Sequence, residues 1–297
     1  MLINPYDGAG RFEGSWFRCN FHTHAGTGPG TCGSHGLREV IEAYEECKYD
    51  ALMISNHDIY TDTRGMSRLG MIQGVEFSTH PHMLTVGSPR AHAGPHQAVI
   101  DAAREDGGFV ILCHPNWMRK NYLEQGFLEA LRGYRGLEIL NTVIYRLTGS
   151  GYACDVWDSL LSRGKKAYGF GNDDFHILYD LGRSWNCVYA RSTAFEDIKA
   201  SVENGLFYVS TGLALDSLRL EGGLISAKVR YPTPTHVDAF EYRFIGRDGE
   251  VLKRQTGARA EYRLKGDELY VRLEAVSEEG FKLFSQPLYE EDAFVDP

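Results

Sequence analysis

The sequence predicts a mixed α/β protein in two parts: a parallel α/β barrel or sheet over residues 1–211, then a small antiparallel β-sandwich over 212–297. Three observations predict it. Short apolar runs alternate with amphipathic helical patterns from residue 16 to about 210. From about residue 212 the hydrophobic period falls to two. A series of short motifs rich in His, Asp and Glu is spread through the first part, most of them just after an apolar run.

Trp16 to Phe21 reads as the first strand. Leu37, Val40, Ile41 and Tyr44 then fall at i, i+3, i+4, i+7, one face of a helix. Ala51–Ser55 is a short apolar strand, and Ala98, Ile100, Ala102 and Ala103 mark a second helix that stops near Gly107-Gly108. Gly108–Cys113, Gly136–Leu140 and Lys166–Phe170 read as buried parallel strands because they are apolar without alternation. Leu128 with Leu131, then Val156 with Leu160 and Leu161, mark the helices between them. Phe195, Ile198 and Val202, followed by Gly205, give one more.

Beyond residue 212, Phe240, Tyr242 and Phe244 alternate with Glu241 and Arg243, and Arg247-Asp248-Gly249-Glu250 makes a hairpin turn. Leu269, Val271, Leu273 and Ala275 alternate with Tyr270, Arg272 and Glu274 after a second turn at 265–268. Tyr231-Pro232-Thr233-Pro234-Thr235 reads as a loop inside this part.

The net charge of −9 gives no basic footprint for duplex nucleic acid. No apolar run is long enough to span a bilayer, and the first residues lack a secretory pattern. Cys19, Cys32, Cys47, Cys113, Cys154 and Cys187 are scattered without a C-x-x-C, as expected of reduced thiols in a cytoplasmic protein. Cys19 and Cys113 lie in strand-like runs and are expected in the core.

The chemistry resides in the motifs. His22-Thr23-His24 ends the first strand, and two imidazoles at i and i+2 of an extended chain face the same way. Asp174 and His176 repeat that spacing, whereas Asp173 points away and is expected to be structural. Glu76 closes a buried run, and a buried carboxylate is costly unless paired or bound to a metal. His57, His82 and His114 occupy further segment ends. Each has an ordinary competitor as a cap or surface residue. Their joint occurrence points to several metal ions at one face, and so to a metallohydrolase. His80 is the best decoy, being two residues from His82, while His92, His96 and His236 are expected to be surface or capping residues.

Taken in order, these motifs resemble the polymerase and histidinol phosphatase (PHP) family over roughly residues 16–211. The family's His-x-His matches His22 and His24, its Ser-Asp-Gly appears as Ser34-His35-Gly36, and its Thr-Asp-His-Asp as Ser55-Asn56-His57-Asp58. Its Gly-x-Glu matches Gly74-Val75-Glu76, its His-x-x-x-Gly starts at His82, and its His-Pro matches His114-Pro115. Its Ser-Asp-x-His matches the segment ending Asp174-Phe175-His176.

The resemblance implies a distorted (β/α)7 barrel of PHP type, followed here by the C-terminal antiparallel β-sandwich. It implies two or three divalent transition ions (zinc, manganese or iron). The first would be held by His22, His24, Glu76 and Asp174. A second would be shared by Glu76, His82 and His114, and a third would lie on His35, His57 and His176. His35 and Asn56 stand where the family usually has Asp. The activity implied is hydrolysis of a small phosphorylated substrate, a phosphomonoester or phosphodiester, by a hydroxide bridging the metals. Arg183 is the first choice for a phosphate contact, ahead of Arg119 and Arg146. The alternatives are a hydrolase of an amide or lactone using the same ions, and a non-enzymatic metal-stabilised module.

Overall fold

The strand expected at Trp16–Phe21 and the helix expected over Leu37–Tyr44 both form, after a short strand that the sequence does not predict. In the computed structural model, which describes residues 2–233 and 239–297, the chain begins with strands β1 (Leu2–Ile3) and β2 (Ser15–Asn20). His236 and the end of the proline-bearing loop lie outside the described residues. Helix α1 (Leu37–Glu46) buries Val40, Ile41 and Tyr44, three of the four residues that predict it. Each such side chain contributes about 1.5–3 kcal/mol on full burial. Strands β3 (Ala51–Met53), β4 (Gly70–Ile72), β5 (Glu76–Phe77) and β6 (Met83–Val86) precede helix α2 (His96–Glu105). The inward face of α2 is Val99, Ile100 and Ala103; Ala98 is exposed and Ala102 half-buried, a correction to the predicted face. Strand β7 (Phe109–Leu112), helix α3 (Gln125–Ala130), strand β8 (Gly136–Asn141), helix α4 (Cys154–Ser162) and strand β9 (Tyr168–Asn172) follow. Strand β10 (Trp185–Ala190), helix α5 (Phe195–Glu203) and strand β11 (Phe207–Ser210) complete the first part.

The strands do not close into one hydrogen-bonded barrel. Pairing among β2, β3 and β4 is parallel, as is that among β7, β8 and β9. In contrast, β5–β6–β7 and β2–β10–β11 are antiparallel. Strands β5–β9 form a sheet of their own. It meets the sheet containing β2 and β3 through single bridges, Thr23 with Phe175 and His57 with Glu76. The expected continuous (β/α)7 closure is therefore replaced by two open sheets that converge at one end. All the metal-type motifs lie at that end.

Among the described residues of the remainder there are eight strands: β12 (Ala214–Glu221), β13 (Leu224–Arg230), β14 (Phe240–Ile245), β15 (Val251–Gly257), β16 (Ala260–Arg263), β17 (Tyr270–Val276), β18 (Lys282–Ser285) and β19 (Leu288–Glu290). All pair antiparallel, and β12–β13–β16 form a separate three-stranded layer. The other layer is continuous with the first part, because β18 pairs with β11. Leu215, Leu218, Ile225, Val229, Tyr242, Phe244, Val271 and Leu273 belong to one apolar cluster that joins the layers. The alternation read in β17 is real, but neither face meets solvent: Tyr270 to Ala275 are all buried. Arg272 makes a two-pronged ion pair with Asp158 of α4, both contacts 2.7 Å, and Tyr270 donates to the same carboxylate at 3.0 Å.

Candidate metal centre

The segments that carry the site are held by close backbone packing. A side chain at Gly74 would place its Cβ 2.2 Å from Met53 Sδ and 2.8 Å from the Thr85 carbonyl, so only glycine lets the strand bearing Glu76 lie there. His114 (φ 29°) and Asp174 (φ 51°) adopt the left-handed region just past the ends of β7 and β9, as does Asp58 (φ 51°) in the loop after β3. For residues other than glycine this conformation costs on the order of 1–3 kcal/mol and concentrates at functional sites. It turns His114 and Asp174 toward a common centre.

At that centre Glu76 is 1% exposed, and Glu76 Oε2 lies 3.1 Å from His22 Nε2, 3.1 Å from His24 Nε2 and 3.1 Å from His57 Nδ1. Asp174 Oδ1 is 3.2 Å from His22 Nε2 and 3.1 Å from His24 Nε2. The other oxygen, Glu76 Oε1, is 2.8 Å from His82 Nδ1 and 3.4 Å from His114 Nε2. Most of these contacts lack hydrogen-bond geometry: His22 Nε2, His24 Nε2, Glu76 Oε2 and Asp174 Oδ1 are buried without a hydrogen-bond partner. Four orphaned donors facing one another at this spacing match ligands about 2.1 Å from one ion, whose mutual separations run about 3.0–3.4 Å. Imidazole with carboxylate suits zinc, manganese or iron.

The surrounding residues fix these donors. His22 Nδ1 contacts Glu138 Oε1 at 2.9 Å, which leaves Nε2 to face the centre. Glu138 is fully buried and also accepts the Asn172 amide at 2.9 Å, the Asn141 amide at 2.8 Å and the His114 backbone N–H at 2.9 Å. Asn141 also donates to Asp174 Oδ2 at 3.0 Å, so Oδ1 is the free oxygen. Asp173 accepts the backbone N–H groups of Gly182, Arg183 and Ser184 and the hydroxyls of Tyr44 and Tyr49, a structural clamp.

Burial opposes charge on His22, Glu76, Asp174 and His82, and attraction to neighbouring charges outweighs it at the first three. For His22, burial depresses the imidazole, and Asp174, Glu76 and Glu138 reverse the effect to raise it well above its usual value. Burial works against the charge of Glu76, and His22, His114 and His24 hold its carboxyl well below the usual range. Asp174 is likewise held low, by His22, His24 and His176 against its own burial. His82, where burial prevails over the pull of Glu76, is lowered. A field that holds protons on His22 against burial would also favour a divalent cation in their place.

His57 and His176 lie on the outer side of His24, their rings 4.7 and 4.3 Å from its ring. The residue that joins them is Cys32: ligand atoms of His24, Cys32, His57 and His176 all lie within 4.8 Å of one another. His35 is in none of the candidate clusters among the described residues. Its Nδ1 is instead 2.7 Å from Ser34 Oγ, and its ring lies 6.0 Å from that of Phe175. The Cys32 thiol is raised by burial, but His176, His24 and His57 bring it down to about 4. Arg183 stacks on Tyr179, 3.8 Å from the ring, and its Nε donates to the Tyr179 carbonyl. Arg146 is committed to Asp180 at 2.8 and 2.9 Å, and Arg119 lies 3.3 Å from Glu124.

Glu138, Cys32 and Cys113 were not singled out by the sequence for this chemistry. Cys113 is buried in the core as expected, yet it also borders the centre, grouped with His22 and Glu138 and with Glu76 and His114. His80 stacks on His82 with ring centroids 4.7 Å apart, and bonds to the Tyr122 hydroxyl instead of joining the cluster. His92 is tied to Asp106 at 3.0 Å, and His96 to the Pro81 carbonyl at 2.9 Å. Among the described residues no helix is long and apolar enough to cross a membrane.

No protein-family model matches the chain, nor does any curated protein. Among solved structures it is similar to the crystal structure of a two-domain protein containing a predicted PHP-like metal-dependent phosphoesterase from Bacteroides vulgatus ATCC 8482. The two share 14% identity at a TM-score of 0.55, over 92% of this chain and 95% of that one. At that identity the likeness defines a shared fold.

Proposed function

We propose that the chain is a metal-dependent phosphoesterase of the PHP type, acting on a small phosphorylated substrate through residues 1–211. The observation that carries the proposal is the convergence of four buried, unpartnered donor atoms, His22 Nε2, His24 Nε2, Glu76 Oε2 and Asp174 Oδ1. Divalent ions bound there would supply Lewis-acid activation of water and neutralise phosphoryl charge.

The roles of the chain's own groups follow from their contacts. Glu76 presents one oxygen to His22 and His24 and the other to His82 and His114, and so would serve two ions. Glu138 fixes the tautomer of His22, and Asn141 turns Asp174. Trp117, with its ring 5.0 Å from His114 and 5.5 Å from His82, gives the second position an apolar wall that limits water. Arg183, half-exposed beside Tyr179, is the proposed phosphate contact.

The test is a substrate panel of phosphomonoesters, phosphodiesters, amides and lactones, run on chelator-stripped protein and on protein reloaded with zinc, manganese or iron. Phosphoester hydrolysis that disappears on stripping and returns on reloading is the expected result. Turnover of the amide or lactone alone would replace the phosphoester reading with the other hydrolase class. Failure to take up metal would end both.

A further inference from the structure

We infer that Cys32 supplies a thiolate ligand to a third ion held with His57 and His176, where the sequence pattern points to His35. The inference rests on the metal-centre reading above and specifies the make-up of its outer position. Three observations carry it. Ligand atoms of Cys32, His57, His176 and His24 fall within 4.8 Å of one another. His24 is fully buried and neither of its ring nitrogens has a hydrogen-bond partner. With His24 Nε2 directed at Glu76 and Asp174, the His24 ring forms the wall between the inner and outer positions.

The loop bearing Cys32 is built for this placement. A Cβ at Gly33 would sit 2.6 Å from the Ala25 backbone, so glycine lets the loop fold directly over the residue after His24. Ser34 ties it to His176, its N–H donating to the His176 carbonyl at 3.0 Å and its hydroxyl at 2.7 Å. Gly26 N–H donates to the His35 carbonyl at 2.7 Å. These bonds set Cys32 toward the cluster and leave His35 against Ser34 and Phe175.

The consequence is selectivity. A position with one thiolate and two imidazoles favours soft or borderline ions such as zinc and ferrous iron over manganese and magnesium. The inner position, with two carboxylates, discriminates less. Cys32 is also exposed, so without an ion it is open to alkylating reagents.

The experiment uses the full chain, stripped with a chelator and titrated with cobalt(II). A thiolate-to-cobalt charge-transfer band in the near ultraviolet should grow in, and Cys32→Ser should lose that band and bind one ion fewer per chain. His35→Ala should keep the band. In parallel, iodoacetamide labelling mapped by mass spectrometry should be about tenfold or more slower at Cys32 once zinc is saturating. Ions that bind without the band, a band that survives Cys32→Ser, or labelling indifferent to zinc would each overturn the inference and leave the inner site standing. If neither cobalt nor zinc binds at all, the metal-centre reading falls with it.

Discussion

Replacing Glu76 with Gln tests the centre most directly, because that carboxylate alone reaches both inner positions. Five imidazole nitrogens lie 2.8–3.4 Å from its two oxygens. The substitution keeps volume and planarity and removes one negative charge from a site that is 1% exposed. Losing a hydrogen-bonding partner that only orients a ligand typically costs about 10–100-fold in metal affinity. Loss of a direct ligand shared by two ions should exceed the upper end, at least ~100-fold, or about 2.7 kcal/mol. The fold should persist, since Glu76 belongs to the two-residue strand β5, whose ladder is made by the backbone. The assay is metal content per chain by elemental analysis after dialysis against micromolar free zinc, with circular dichroism to verify the fold. A Glu76→Gln protein that is folded and carries the parental number of ions would refute the bridging role.

Glu138→Gln should retain the cluster but loosen it, lowering zinc affinity about 10–100-fold as His22 loses its orienting carboxylate, measurable by competition with a chromophoric chelator. The pH dependence should differ between stripped and loaded protein. His22 and His24 are raised when no metal is present, so their stabilising contribution is complete below the unfolded imidazole value near 6.5 and is lost as pH rises through the folded value. Glu76 and Asp174 are lowered, so their contribution is present above the unfolded carboxylate range and lost on acidification. Thermal melts of stripped protein should therefore fall with increasing alkalinity, while zinc affinity should rise as the imidazoles shed protons; an affinity flat in pH would contradict this. Asp158→Ala strands the buried Arg272 and should cost about 3–5 kcal/mol in urea unfolding, without changing the ions bound per folded chain.

How much of the fold was legible depends on how far each residue's environment follows its own chemistry. Helix α1 could be read because Val40, Ile41 and Tyr44 are apolar and face the core. Strand β10 could not, because Asn186 interrupts the apolar run: it is fully buried, and its amide exchanges hydrogen bonds with Gly171 at 3.1 and 2.8 Å. Strand direction was also hidden, although the connection between β5 and β6 spans only residues 78–82, too short for a crossover to a parallel neighbour. The two faces of β17 read as inward and outward because Arg272 and Glu274 are charged, yet Asp158 on α4 provides the partner that lets Arg272 be buried.

The candidate site follows the same logic at shorter range. His22, His24, Glu76 and Asp174 could be proposed together because each stands at or near the end of a segment, and the two sheets converge at the end where these positions lie. Glu138 could not, since it occupies the middle of an apolar run and its purpose is evident only from the four donors around it. The proposed exchange of His35 for Cys32 is the sharper case. Both lie in one short loop, and residue type alone does not choose between a thiolate and an imidazole. What decides between them is backbone contact: Gly33 against Ala25, and Ser34 against the carbonyl of His176. Motif spacing records which residues can approach a centre, whereas the packing of small residues between them determines which side chain is turned inward.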